Sequence, residues 1–353
     1  MDAIDQALDM LGGCGPEFGD NGLSNHGPMA AEALARMGRS REVEAWVERY
    51  RKRLDARPPR VEPIDARSWR QALGQLDRVS DWEEFFHAEF EAAPWREVLD
   101  RWVPRLAPGI MAGATHGLIR TAHAVRSLAD DDKAPGRRAE LISGLAYWAA
   151  RYQPMPGALA PVPPRLPSEA ITDLEIMPAH LRNPRPSNIF SAVAELDHFP
   201  PFARVINLAA PGDDLSAFLS DLTLTMARFY LQNSGRASIS YVHTVTAPSA
   251  LRMIAPHVSP ETAATAARYA WQAAAAIHAR GHFPHEVSTP ARLPGPEDLI
   301  DRAVFSGDEH AIKFTEACLR EYALNPDPAF LAGPLDLSGR YGRSRREGTG
   351  TNG

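Results

Sequence analysis

Four histidines, each in a short motif, are the residues of this sequence best suited to chemistry. His26 lies in Ser-Asn-His-Gly-Pro, His116 in Gly-Ala-Thr-His-Gly, His243 in Ser-Tyr-Val-His-Thr and His310 in Asp-Glu-His-Ala-Ile-Lys. Neutral imidazole is a common protein ligand for redox metals. Because the four are spread over nearly the whole chain, a shared site would be assembled by the tertiary fold. The pattern predicts a buried metal and therefore an enzyme.

His116 also has an ordinary structural interpretation. A single histidine inside an apolar helix is more often a core or surface residue than a ligand, and His123, seven residues further on, would share its face of the helix. Gly113 and Gly117 flank His116, and such small neighbours allow another helix or a ligand to approach the backbone closely.

His243 and His26 have the same two interpretations. Tyr241 and Thr244 beside His243 are either hydrogen-bond partners of a ligand or packing residues, and we take Tyr241 as a candidate catalytic residue. Pro28 is expected to begin a helix, which would place His26 at the mouth of that helix.

His310 and Lys313 form a pair spaced three residues apart, so they share one helix face. A protonated lysine is repelled by a metal, and the pair makes chemical sense there only if burial or a covalent change removes the charge. The alternative is a surface lysine paired with Glu309 or Glu316.

The other histidines carry weaker patterns. His278, His282 and His285 have metal-like spacings but lack the glutamate of a zinc-protease motif, and a solvated turn is the simpler interpretation. No pattern surrounds the remaining four, which are His87, His180, His198 and His257.

Composition narrows the classes of partner. The chain has 353 residues, 44% of them apolar and 23% charged, with a net charge of −6. These values predict an ordinary globular protein that binds neither nucleic acid nor membrane and takes a small-molecule substrate. The acidic N-terminus does not resemble a signal peptide, and the two cysteines, Cys14 and Cys318, do not form a disulfide framework, so we expect a cytoplasmic protein.

The elements that must position these residues are helices. Apolar residues recur every three or four positions over the ranges 29–37, 43–54, 110–128, 138–152, 215–231, 239–254, 260–279 and 310–322. No sustained alternation of period two is present. The sequence therefore predicts an all-α fold with the metal site in its helical core.

Proline and glycine mark the joints between the helices. The proline-rich stretch 154–167 predicts an extended surface connection and offers a domain boundary. Two of the four histidines precede this stretch and two follow it, so a shared site favours a single compact domain over residues 1–337. Residues 338–353, rich in Gly, Arg and Ser, predict a disordered tail.

Common enzyme motifs are missing from the sequence. It has no glycine-rich nucleotide-binding loop, no nucleophile elbow and no paired ExxH helices of a di-iron protein. In order and spacing over about residues 20–335, the four histidine motifs instead resemble those of the questin oxidase-like family. Two positions depart from that family's pattern, namely Gly27 and Gly117, each directly after a motif histidine.

The resemblance implies an oxygenase that tailors aromatic polyketides. One family member is a non-heme iron dioxygenase that cleaves an anthraquinone ring, with iron held by four histidines and a carboxylated lysine. Carried over to this sequence, the resemblance implies Fe(II) bound by His26, His116, His243, His310 and Lys313, with Lys313 as the modified residue and a carbamate that removes the charge conflict.

The activity implied by the resemblance is oxidative ring cleavage with O2 of an anthraquinone-like substrate. Other members are described as Baeyer–Villiger-type oxidases, so an NADPH-dependent monooxygenase on the same scaffold is the first alternative. A helical ligand-binding protein without catalytic activity is the second. The sequence leaves the identity of the substrate and the oligomeric state open.

Overall fold

Helices form nearly all of the regular structure of this chain, as the sequence predicts. A computed structural model describes residues 2–281, 284 and 292–348. The α-helices of these residues are α1 Ala3–Leu11, α2 Gly27–Arg36, α3 Ser40–Tyr50, α4 Val79–Ala92, α5 Trp95–Leu106, α6 His116–Asp130, α7 Pro135–Ala150, α8 Pro167–Ala170, α9 Ile189–Ala194, α10 Leu215–Ile254, α11 Pro260–Gly281, α12 Pro296–Ser306, α13 Glu309–Leu324 and α14 Ala329–Gly348.

Short elements connect these helices. Strands β1 Glu17–Phe18 and β2 Leu23–Ser24 pair antiparallel, with Glu17 opposite Ser24. The 3₁₀ helices are Arg51–Arg53, Trp69–Ala72, Leu76–Arg78, Ala107–Gly109, Ile171–Asp173, Ala179–Leu181, Glu195–His198, Pro200–Asn207 and Ala255–His257. Residues 154–164, within the proline-rich stretch, carry no regular structure and run largely over the surface, and Pro167 begins α8.

The long helix α10 is the centre of the fold. It packs against α6, α11, α13 and α14, while α2 packs against α6 and α13. The side chain of Asp214 caps α10 by accepting a hydrogen bond from the backbone N–H of Ala217. Within the described residues, no helix is long and apolar enough to cross a lipid bilayer.

Three predicted boundaries differ from the observed ones. The ranges 215–231 and 239–254 are one continuous helix, because the residues between them, Gly235 included, keep helical geometry. The range 110–128 becomes helical only at His116, since the preceding residues turn the chain. The tail predicted from residue 338 continues α14 as far as Gly348, and residues 349–353 lie outside the described part.

Helix α14 is held in place by polar contacts with the central helix. The hydroxyl of Tyr230 on α10 donates to Asp336, and Arg340 bonds both Asp336 and Ser234 of α10. Leu337, between them in sequence, is fully buried. A composition rich in Gly, Arg and Ser therefore coexists with a docked helix, because a few anchored side chains hold its middle, around residues 336–340, against α10.

Helices α6 and α7 approach each other so closely that glycine is required at one position. A Cβ atom added to Gly117 would lie 2.7 Å from the backbone Cα of Trp148. Backbone does not give way as a flexible side chain does, so the helices would have to separate. This contact explains why Gly117 follows His116, and it confirms that small residues here permit a close helix approach.

The Gly117→Ala substitution is expected to destabilise the protein by about 1–3 kcal/mol through overpacking. Gly136→Ala in α7 is the matched control, because its Cβ would meet nothing closer than Leu8 Cβ at 3.8 Å. The control should be neutral or stabilising by up to about 1 kcal/mol. Urea unfolding of the metal-free proteins measures both, and equal midpoints for the two variants would contradict the packing argument.

Candidate metal centre

The four motif histidines meet in the core as a closed ring. Ring centroids lie 4.5 Å apart for His26 and His116, 4.6 Å for His116 and His243, 6.2 Å for His243 and His310, and 4.6 Å for His310 and His26. The first two histidines stand at the start of α2 and α6, the third lies within α10, and the fourth lies in the first turn of α13.

Backbone carbonyls fix the tautomer of two of these rings. Nδ1 of His26 is 2.5 Å from the carbonyl oxygen of Ser24, and Nδ1 of His116 is 2.6 Å from that of Gly113. A carbonyl oxygen only accepts, so each Nδ1 carries the proton and each Nε2 presents a lone pair. This second hydrogen bond of the ring is typical of metal-ligating histidines.

The two Nε2 atoms of His26 and His116 lie only 2.8 Å apart. With both Nδ1 protons committed to carbonyls, two neutral rings have no proton to place between these atoms. Burial is the main cause that holds the pKa of both rings well below the usual range, and the nearby charge of Lys313 adds to it. A shared cation would satisfy both lone pairs, so this contact fits a metal between the rings.

The other two histidines of the group have ring nitrogen atoms without a hydrogen-bond partner. Among the described residues, Nδ1 of His243 and Nδ1 of His310 are buried without a hydrogen-bond partner. Asp308 Oδ1 lies 3.7 Å from Nδ1 of His310, which is beyond hydrogen-bond distance. Burial, followed by the charge of Lys313, lowers the pKa of His243 and keeps it neutral, as a ligand must be.

A backbone segment in an unusual conformation sets the position of His116. Gly113, Ala114 and Thr115 have φ values of 53°, 58° and 71°. These values lie in the left-handed region, which residues other than glycine rarely adopt. The β-branched Thr115 makes this segment strained. The turn brings the carbonyl of Gly113 onto His116, a feature that apolar periodicity does not reveal.

Lys313 is buried in the core rather than exposed. It is 2% exposed, and Glu309 and Glu316 have other partners, Arg53 and Arg126 respectively, so the alternative of a surface lysine is wrong. Its amine lies 3.9 Å from Sδ of Met29. Burial lowers the pKa of Lys313 to about 7, with Glu309 and Asp308 opposing the shift.

Carboxylates offer a second ligand arrangement beside the ring. One ligand atom from each of Asp308, Glu309 and His310 lies within 4.8 Å of the others. Asp308 already accepts from the backbone N–H groups of His310 and Ala311. Glu309 forms an ion pair with Arg53. Both carboxylates therefore already have partners, which makes them less available to a metal than the four imidazoles.

Tyr241 does not face this centre. Its hydroxyl is 2.7 Å from Nδ1 of His278 on α11, and it does not line the cavity over the histidines. His282 and His285, the other members of that predicted histidine group, lie outside the described residues. His123 also has another partner, since its Nδ1 lies 2.8 Å from Glu32.

A cavity of about 370 Å³ opens over the histidine ring. Its walls are largely apolar, with Phe18, Leu23, Ile189, Phe190 and Ile239 among them. All four histidines line it, whereas Lys313 does not and lies on the buried side with Met29. This volume and lining are typical of a site for a small, mainly apolar ligand.

The arrangement of the four histidines predicts which side chains metal binding requires. His243→Ala should lose stoichiometric binding of Fe(II) or Co(II), since a missing imidazole opens the coordination set. Tyr241→Phe, two residues away on the same helix, should keep the metal because its hydroxyl bonds His278. Metal analysis after loading under nitrogen and desalting measures both; retention of metal by His243→Ala would contradict this assignment.

The comparison with known proteins agrees with the motifs. The family model described as questin oxidase-like matches residues 23–318, which include all four histidines and Lys313. No curated protein sequence matches the chain significantly. The chain belongs to the questin oxidase-like family, which indicates an oxidoreductase of the oxygenase type that acts on aromatic polyketides.

Proposed function

We propose that this protein is a non-heme iron oxygenase that cleaves a ring of an anthraquinone-like polyketide, with Fe(II) held by His26, His116, His243 and His310. The contact of two unprotonated Nε2 atoms at 2.8 Å carries this proposal, because a shared cation accounts for it. Imidazole suits iron among the redox metals, and bound Fe(II) would supply the activation of O2. These four histidines are among the ligands that the family resemblance implies.

The cavity supports an aromatic substrate. Aromatic and aliphatic side chains form much of its walls, and the four histidines line it as well. A planar ring system bound in this cavity against Phe18 and Phe190 would displace water and lie beside the imidazoles. Removal of water strengthens the polar contacts that orient the substrate.

Lys313 would complete the ligand set as a carbamate. Its uncharged amine attacks CO2, a C–N bond forms, and a proton leaves to solvent, so that an anionic oxygen replaces a cation. Three features support this step: the burial of the amine, the pKa of about 7 and the absence of a strong acceptor among the described residues near Nζ. Lysine reacts in this way only when it is deprotonated.

The reaction is tested with iron-loaded protein, a hydroxyanthraquinone and isotopically labelled O2. Ring cleavage by a dioxygenase should consume O2 without NADPH and place both labelled atoms in the product. Tyr241→Phe should behave as wild type, and His243→Ala should be inactive. O2 uptake that requires NADPH, with one labelled atom retained, would instead indicate the Baeyer–Villiger-type monooxygenase.

A third outcome would overturn catalysis altogether. Protein that holds iron and binds the hydroxyanthraquinone, yet consumes no O2 with or without NADPH, would indicate a helical ligand-binding protein. Binding is followed by the absorbance of the probe, so a compound that fails to bind is distinguished from one that binds without reacting.

Lys313→Met is expected to weaken Fe(II) binding by about tenfold or more, since a missing anionic ligand leaves the metal charge uncompensated. Wild-type protein in carbon-13 bicarbonate should show a carbamate resonance, and the variant should not. Lys133→Met is the control, because Lys133 is exposed. Equal iron affinity in wild type and Lys313→Met, without any response to bicarbonate, would contradict the carbamate.

A further inference from the structure

An ion pair stands in the largely apolar wall of the cavity. Glu17 on β1 and Arg151, just after α7, both line the cavity, with side chains 9% and 26% exposed. Nε of Arg151 donates to Glu17 Oε1, and Nη2 donates to Oε2. The guanidinium also lies 5.6 Å from the centre of the Phe190 ring, on the same cavity wall.

Hydrogen bonds hold the carboxylate in one orientation. Tyr147 donates to Glu17 Oε1 at 2.8 Å, and Ser24 Oγ lies 2.7 Å from the Tyr147 hydroxyl. Because the single proton of Tyr147 goes to Glu17, Ser24 donates to Tyr147. Oε1 therefore accepts two hydrogen bonds, whereas Oε2 accepts one and keeps a lone pair for a further donor.

A glycine leaves this oxygen uncovered. A Cβ atom added to Gly22 would lie 2.9 Å from Glu17 Oε2 and 3.1 Å from Arg151 Nη2. Gly22 itself lines the cavity and has φ of +60°. Any side chain at this position would crowd these two atoms of the ion pair.

We propose that Glu17 and Arg151 recognise a phenolic hydroxyl on the edge of the aromatic substrate, at a position that is not adjacent to a ring carbonyl. The hydroxyl donates to Glu17 Oε2, and its oxygen accepts from Arg151. A guanidinium has five N–H donors, and Glu17 and Tyr147 occupy at most three of them. The inference rests on the proposed function only in that the same cavity takes an aromatic substrate.

This arrangement selects for hydroxylated substrates. A carboxylate and a guanidinium that lose water to an apolar ligand without gaining hydrogen bonds impose a penalty. An aromatic compound whose hydroxyl is blocked meets that penalty, whereas the free phenol replaces the lost water. If the ion pair had no role in recognition, it would only hold the hairpin of β1 and β2 against α7. A purely structural ion pair would not discriminate between two ligands of similar shape.

The test compares 2-hydroxyanthraquinone, whose hydroxyl is a free donor, with 2-methoxyanthraquinone, which keeps the ring system and lacks the donor. Metal-free, full-length wild type is titrated with each probe and binding is followed by tryptophan fluorescence. Wild type should prefer the hydroxyl compound by about 10- to 100-fold, the value of a hydrogen bond to a charged group. Glu17→Gln should lose that preference while keeping its affinity for the methoxy compound.

Two glycine variants guard against loss of folding. Gly22→Ala should also remove the preference, because its Cβ crowds the ion pair. Gly19→Ala is the matched control: Gly19 lies in the same hairpin with φ of +70°, and its Cβ would meet nothing within 4 Å. It should keep the preference of wild type, so backbone strain alone is separated from crowding.

Several results would overturn this inference. They are equal affinity of wild type for both probes, no binding of either probe, or an unchanged preference in Glu17→Gln or Gly22→Ala. Because the titrations contain no iron, failure to bind metal or consume O2 would count against the proposed function alone. Loss of discrimination in an iron-loaded, active enzyme would count against this inference alone.

Discussion

The buried carboxylate of Glu32 holds together three of the helices that carry the histidine ring. Glu32 on α2 pairs with His123 and Arg126 of α6, and Arg126 continues to Glu316 on α13. Burial alone would raise the pKa of Glu32, but these partners outweigh burial and lower the pKa to about 2. An unpaired buried carboxylate costs several kcal/mol, so α2, α6 and α13 cannot shift independently without losing the network.

A second buried carboxylate connects the fourth helix. Glu321 on α13 is 0% exposed and accepts from Arg252, Ser249 and Thr223, all on α10. Helix α10 carries His243. The two networks together therefore connect the four helices that carry or begin at the four histidines. Neither network lines the cavity over the histidines. The positions of the imidazoles therefore depend on charge pairs outside the cavity, which leaves the cavity walls free to match a substrate.

The sequence predicts most of the helices, because apolar periodicity is a local pattern. It also identifies the four histidines that lie together in the core, because each stands in a short motif. It does not predict the left-handed turn at Ala114 and Thr115, since no propensity favours that conformation for these residue types. The two-residue strand that carries Glu17 is also too short for a periodic signal. Tyr241 is different: residues two apart point to opposite sides of a helix, so helical geometry already argued against its sharing a site with His243.

Charge balance links the proposed metal to the state of Lys313. Four neutral imidazoles bring no negative charge, and the nearby carboxylates of Asp308 and Glu309 are committed to α13 backbone and to Arg53. A divalent cation beside an ammonium would concentrate positive charge where burial already disfavours a single charge, as the lowered pKa of Lys313 shows. Metal binding and a neutral or anionic Lys313 therefore favour each other. The proposed carbamate would satisfy both requirements, because it would remove the ammonium and add the missing negative charge at a residue that does not line the cavity.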